Sequence, residues 1–124
     1  NEISSEILCV RGNCDTEADQ MVLNFPIMAE YCILYLENHM IFVTHGHKFN
    51  EKNPPLLNRG DILLHGHTHI PKLDEHENFI YINPGSVSIP KADSKNGYIL
   101  LEGNQFLWKD LDGNCYDKFE IRYI

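Results

Sequence analysis

No apolar run in this chain of 124 residues approaches the ~18–20 residues that a bilayer-spanning helix needs. Nor does its start show the basic and then apolar pattern of a secretory signal. Lys and Arg together number only 10 against 18 Asp and Glu, for a net charge of −8. Without a basic stripe, phosphate neutralisation cannot supply the affinity of a nucleic-acid coating protein, so no basic nucleic-acid-binding surface and no membrane contact are expected. A bound divalent metal could still draw a phosphate locally. The cysteines, Cys9, Cys14, Cys32 and Cys115, include no C-x-x-C pair. They match neither a zinc ribbon nor a small disulfide framework, which leaves free thiols in a reducing cytoplasm. P-loop, G-x-S-x-G and Gly-rich dinucleotide fingerprints are missing as well. Helical periodicity is scarce. Only 15–23 and 53–60 could host short helices, the first with Asp15 as N-cap. The chain opens NEISSEILCV, without Met, as a processed or trimmed beginning would.

What the chain does have is strands. Apolar and β-branched runs recur between turn signals: ILCVR (7–11), YCILYL (31–36), MIFVT (40–44), DILLH (61–65), FIYI (79–82), GYILLE (97–102), QFLWKDL (105–111) and KFEIRYI (118–124). Residues 31–44 read as a hairpin, Gly103-Asn104 as a two-residue hairpin turn, and 118–124 as a closing edge strand. The length suits one domain, 1–124, with one modest core. Repeats, low-complexity segments and linkers are lacking.

Glycine-containing motifs follow directly on three of these runs: GNCD after ILCVR, HGH after IFVT, and GHTH after ILLH. Loops at strand ends are where a rigid sheet presents chemistry, so the three could converge at one edge. In an extended segment His67 and His69 point the same way, because side chains alternate. Neutral imidazoles suit Zn, Mn, Fe, Co or Ni, and His45 and His47 repeat the H-x-H spacing. An isolated H-x-H pair is more often a surface feature; two such pairs at strand ends point to metal. His65, just before Gly66, takes a structural role, while His39 and His76 read as solvated surface residues. In RGNCD, Asn13 is either a neutral ligand or a turn residue. Cys14 is a reactive thiol or a small buried hydrophobe. Asp15 caps a helix or binds metal, and Arg11 steers an anion or pairs on the surface.

Taken together, RGNCD, THGH, GHTH and INPGS, in this order and after apolar runs, resemble the calcineurin-like metallophosphoesterases. EADQM, NFPI and PGSVSIP narrow the likeness to the small YfcE-type bacterial phosphodiesterases. The resemblance covers Ile7 to Pro90. It implies an α/β fold, the four-layer αββα sandwich, with two divalent metals between the sheets. Manganese is the first expectation, with Ni, Fe, Zn or Mg as alternatives. It further implies a metal-bridged hydroxide attacking a small phosphodiester, from metals ~3.5–4 Å apart. On this resemblance Asn13, His45 and His67 are ligands of one metal and His69 of the other. Cys14 stands where many relatives have a histidine assisting the leaving group. His47 and the turn from Asn83 to Ser86 lie behind the ligands or beside the substrate, and Arg11 orients the phosphate.

Two motifs of that family, D-x-H and G-D-x-x, find no match before Asn13. The chain therefore resembles the C-terminal two-thirds of such a domain, strand-rich because the opening βαβα part is absent. Alone it is expected to be inactive, since sites of this kind rely on carboxylates to offset the ions' charge. Unpaired sheet edges would invite association, with a missing segment or as a homo-oligomer. Cys14 is a poorer proton donor than an imidazolium, which predicts a preference for esters with acidic leaving groups. The alternative is a non-catalytic protein-binding scaffold of the same fold, like the retromer small subunit. Retention of GNCD favours the enzyme.

Overall fold

The computed structural model describes residues 17–22, 28–36, 38–46, 49–66, 68–86 and 94–121. Among them are one short helix, α1 (Glu17–Val22), and eight strands: β1 (Tyr31–Leu36), β2 (His39–Thr44), β3 (Ile62–His65), β4 (Lys72–Glu75), β5 (Ile80–Asn83), β6 (Gly97–Glu102), β7 (Gln105–Asp110) and β8 (Cys115–Glu120). They form a five-stranded sheet, β1-β2-β3-β5-β4, and a three-stranded meander, β6-β7-β8. The central strands β2, β3 and β5 run parallel, and β1 and β4 are antiparallel edges. The expected strand-rich α/β character is present, with both β layers of the sandwich.

The near-continuous apolar sequences of β2, β3 and β5 follow from burial on both faces of the sheet. The register places Ile41 beside Ile62, and Leu64 beside Ile82. On this face Ile41, Ile62 and Ile82 join Phe106, Trp108 and Ile121 in the core between the sheets. The intervening residues point to the opposite face. There Phe42, Leu63 and Tyr81 lie in register, covered by Phe49 and Leu57. One hydrogen bond also links the layers, from Trp108 Nε1 to the Asn83 carbonyl (2.9 Å).

The hairpins at 31–44 and 97–110 form as expected, with Gly103 at φ 62° in the second turn. One expectation fails, and one strand was not among those expected. Residues 53–60 are not helical: Pro54 and Pro55 lack the N–H groups a helix would use. Asn50 Oδ1 instead accepts from the Lys52 and Asn53 amides (3.0 and 2.9 Å), forming a compact turn that seats Leu57 on the sheet. The polar stretch KLDE is a strand, β4. Its pairing with β5 and the packing of Leu73 against the core outweigh its composition, and a charged edge strand resists pairing with other chains. The segments 7–11 and 122–124 and the Asp15 cap lie outside the described residues.

Candidate metal centre

Because β2, β3 and β5 are parallel, their carboxyl ends reach the same edge of the sheet, where ligand sites of such sheets form. His45 follows β2; His65 closes β3 and leads into Gly66, Thr68 and His69; Pro84 and Gly85 follow β5. The first two loops are tied by the Gly66 amide donating to the His45 carbonyl (3.2 Å). His45 and His69 are both half-buried. His69 has φ 61°, and among the described residues it is the one non-glycine with positive φ. The chain therefore does not stay extended through His69, as the alternation argument for His67 and His69 required. Left-handed backbone at a non-glycine is costly and persists where neighbours hold it, often at functional sites.

The holding groups are visible. The Gly66 carbonyl accepts from the Thr68 amide (2.7 Å), Asn83 Nδ2 (2.9 Å) and His65 Nδ1 (3.0 Å). Since that partner is a carbonyl, His65 Nδ1 carries the proton. His65 is buried, its ring 4.6 Å from that of Tyr81, which agrees with a structural role. Gly46 completes the support. At φ 113°, a Cβ there would stand 2.6 Å from His65 Nδ1, so only glycine lets the chain after His45 pass the buried ring.

Beside these loops opens a pocket of about 220 Å³, lined by Gly46, His65, Thr68, Tyr81 and the turn at 50–52. Burial raises the Tyr81 phenol above its ordinary value, with the Asn83 amide opposing. At the rim, Glu51 accepts from Lys72 Nζ (2.9 Å) and pairs with His76 Nε2 (2.8 Å), and Lys72 also meets Asp74 (2.9 Å). Glu51 and Asp74 hold the Lys72 ammonium well above its usual range, and Lys72 and then Glu51 lower the Asp74 carboxyl. Among the described residues, Glu51, Asp74 and His76 are the one His/Cys/Asp/Glu trio with ligand atoms mutually within 4.8 Å. From the sequence His76 reads as a solvated surface residue. It is indeed exposed, and both Glu51 oxygens are engaged, one by the Lys72 ammonium and the other by the His76 ring.

Of the expected site residues, His45 and His69 are brought to one edge. Asn13, His67, His47, Cys14 and Arg11 lie outside the described residues. The donors suit a divalent ion: two half-buried imidazoles in the segments that follow adjoining strands, one on a left-handed backbone and the other preceding a glycine cradle. His39, expected on the surface, is buried. Its Nδ1 donates to the Gly60 carbonyl (2.8 Å) at the opposite end of the sheet, a partner 21 residues away that no local pattern reveals. The resemblance sets the turn from Asn83 to Ser86 behind the ligands or beside the substrate but does not give the partners of Asn83 itself. Its signal was the placing of a polar residue at the end of the buried run IYIN.

Residues 1–105 match the calcineurin-like phosphoesterase superfamily domain. The chain is 45% identical over 104 residues to phosphodiesterase YfcE of Escherichia coli K12, covering 84% of this chain and 56% of that protein. It is 30% identical over 100 residues to the probable metallophosphoesterase YsnB of Bacillus subtilis, covering 74% and 54%. The chain thus spans about half the length of these relatives. The solved structure of the Escherichia coli YfcE phosphoesterase superposes with a TM-score of 0.93 at 40% identity, over 98% of this chain and 68% of that one. The fold, the loops at the carboxyl ends of its parallel strands and the matched 105 residues agree: the chain belongs to the calcineurin-like phosphoesterase superfamily.

Proposed function

We propose that the loops after β2 and β3 carry part of the metal centre of a phosphodiesterase acting on a small phosphodiester. His45, with Asn13 and His67, serves one divalent ion and His69 the other, with manganese ahead of nickel, iron, zinc or magnesium. When bound, such ions activate the attacking nucleophile and neutralise charge developing on the phosphoryl oxygens. The chain's own residues do the rest. His65 and Asn83 fix the Gly66 carbonyl and hence the loop bearing His69, Arg11 orients the phosphate, Cys14 borders the leaving group, and His47 lies behind the ligands or beside the substrate. The observation that carries this reading is His45 and His69 half-buried in the segments that follow the carboxyl ends of adjacent parallel strands, in a chain of this superfamily.

The proposed ligands here are all neutral, and divalent sites of this kind use carboxylates to offset charge. These 124 residues alone are therefore expected to bind metal weakly and to turn over slowly or not at all. Free thiols at Cys32 and Cys115 support a cytoplasmic setting. Among the described residues no helix is long and apolar enough to cross a membrane. Calorimetric titration with Mn²⁺ tests the site: His45→Ala and His69→Ala should each weaken uptake, and uptake unchanged in both variants would refute the assignment. Where turnover is measurable, aryl phosphodiesters should outpace alkyl ones; equal rates would remove Cys14 from the leaving-group position.

A further inference from the structure

We propose that Asn83 is the positioning residue of the GHTH loop, holding His69 in its left-handed conformation; this rests on the metal-centre reading above. Asn83 closes β5 and is 0% exposed, an unusual place for an amide unless its groups are satisfied. Its Nδ2 lies 2.9 Å from the Gly66 carbonyl, 2.9 Å from Thr68 Oγ1 and 3.1 Å from the Tyr81 hydroxyl. Its Oδ1 accepts from the Gly85 amide at 2.9 Å. The amide cannot be turned over, because that would set oxygen against the Gly66 carbonyl and N–H against the Gly85 N–H. One side chain therefore joins the loop after β3 to the turn after β5, while the backbone carbonyl of Asn83 accepts from Trp108 Nε1 in the other sheet.

None of these side-chain bonds belongs to the strand ladder, so the sheet does not need them for its register. Two of their four targets, Gly66 and Thr68, belong to the loop after β3, and Thr68 stands directly before His69. The backbone at His69, φ 61°, is a conformation that an L residue leaves unless its surroundings prevent it. Asn83 anchors the preceding residue through Oγ1 and the loop's entry through Gly66. Groups behind a ligand that fix its orientation alter metal affinity without touching the metal.

The test uses the full chain and two variants. Asn83→Asp keeps the side-chain shape and the oxygen facing Gly85 but removes both donors. Thr68→Val removes one anchor at an exposed position. In metal-free buffer, amide exchange across 66–70 should accelerate about tenfold in Asn83→Asp, the factor that roughly one hydrogen bond supplies. Thr68→Val should shift it the same way by less, and the β2 segment 39–44 should stay protected in both. In calorimetry, Asn83→Asp should weaken Mn²⁺ binding about 10- to 100-fold. Exchange across 66–70 that is unchanged, or that rises equally with 39–44, would overturn the proposal. So would unchanged Mn²⁺ affinity. If the unsubstituted chain takes up no Mn²⁺, the metal-centre reading falls, and loop exchange still decides the role of Asn83. If Asn83→Asp does not fold, Thr68→Val exchange decides.

Discussion

Gly46→Ala tests the geometry next to His45 most directly. The added Cβ would meet His65 Nδ1 at 2.6 Å, and Cγ and Cε1 at 3.1 Å. Three contacts restrain the ring: His65 is 4% exposed, Tyr81 covers it at 4.6 Å between centroids, and its Nδ1 is tied to the Gly66 carbonyl at 3.0 Å. Two costs combine. A non-glycine held at φ 113° costs about 1–3 kcal/mol, and overpacking a filled site adds about 1–3 kcal/mol. Urea unfolding followed by the fluorescence of Trp108, the sole tryptophan, should therefore report a loss of about 2–6 kcal/mol. A second substitution separates the two costs. In a His65→Ala background the steric part vanishes, and Gly46→Ala should then cost only the backbone part. The cycle should show a coupling of about 1–3 kcal/mol. A loss below about 1 kcal/mol for the single variant, or additivity in the cycle, would show that the buried ring yields and the cradle imposes no constraint.

His69→Gly should relieve the left-handed strain, worth about 1 kcal/mol, while weakening Mn²⁺ uptake. A fall in unfolding free energy larger than that, measured in urea, would mean that the imidazole serves the fold. Trp108→Phe removes the bond to the Asn83 carbonyl and leaves that buried acceptor short of a donor; thermal unfolding by circular dichroism should show a loss of about 1–3 kcal/mol. Asp74 is lowered chiefly by Lys72, so its folded value lies below its unfolded one. Its contribution is present above the ordinary carboxylate range and is lost as pH falls through the folded value. At this exposure it amounts to less than about 1 kcal/mol, and Asp74→Asn should flatten the acid limb of the stability profile by no more than that.

The strands were legible where burial is two-sided. Runs such as MIFVT and ILLH cannot be satisfied by a surface helix, and the Gly-Asn turn names its own hairpin. At 53–60 two prolines with Asn50 make a turn where a helix is expected, and KLDE carries no strand signal of its own because pairing with β5 makes a strand of polar residues. His39 reads as a surface residue because its partner, the Gly60 carbonyl, lies 21 positions along the chain.

For the candidate site the division is similar. Residue types alone supply the donor chemistry: neutral imidazoles at two-residue spacing after apolar runs, an acidic chain without a nucleic-acid-binding stripe, and glycines at the loops. Which of those donors share an edge depends on β2, β3 and β5 running parallel, and parallel order is a property of crossovers rather than of any local run. The left-handed φ of His69, the ring that forbids a side chain at Gly46 and the bonds gathered on Asn83 are likewise products of tertiary packing. Each joins groups from different strands or loops, and the free energy that holds them comes from the closed core, which no single segment contains.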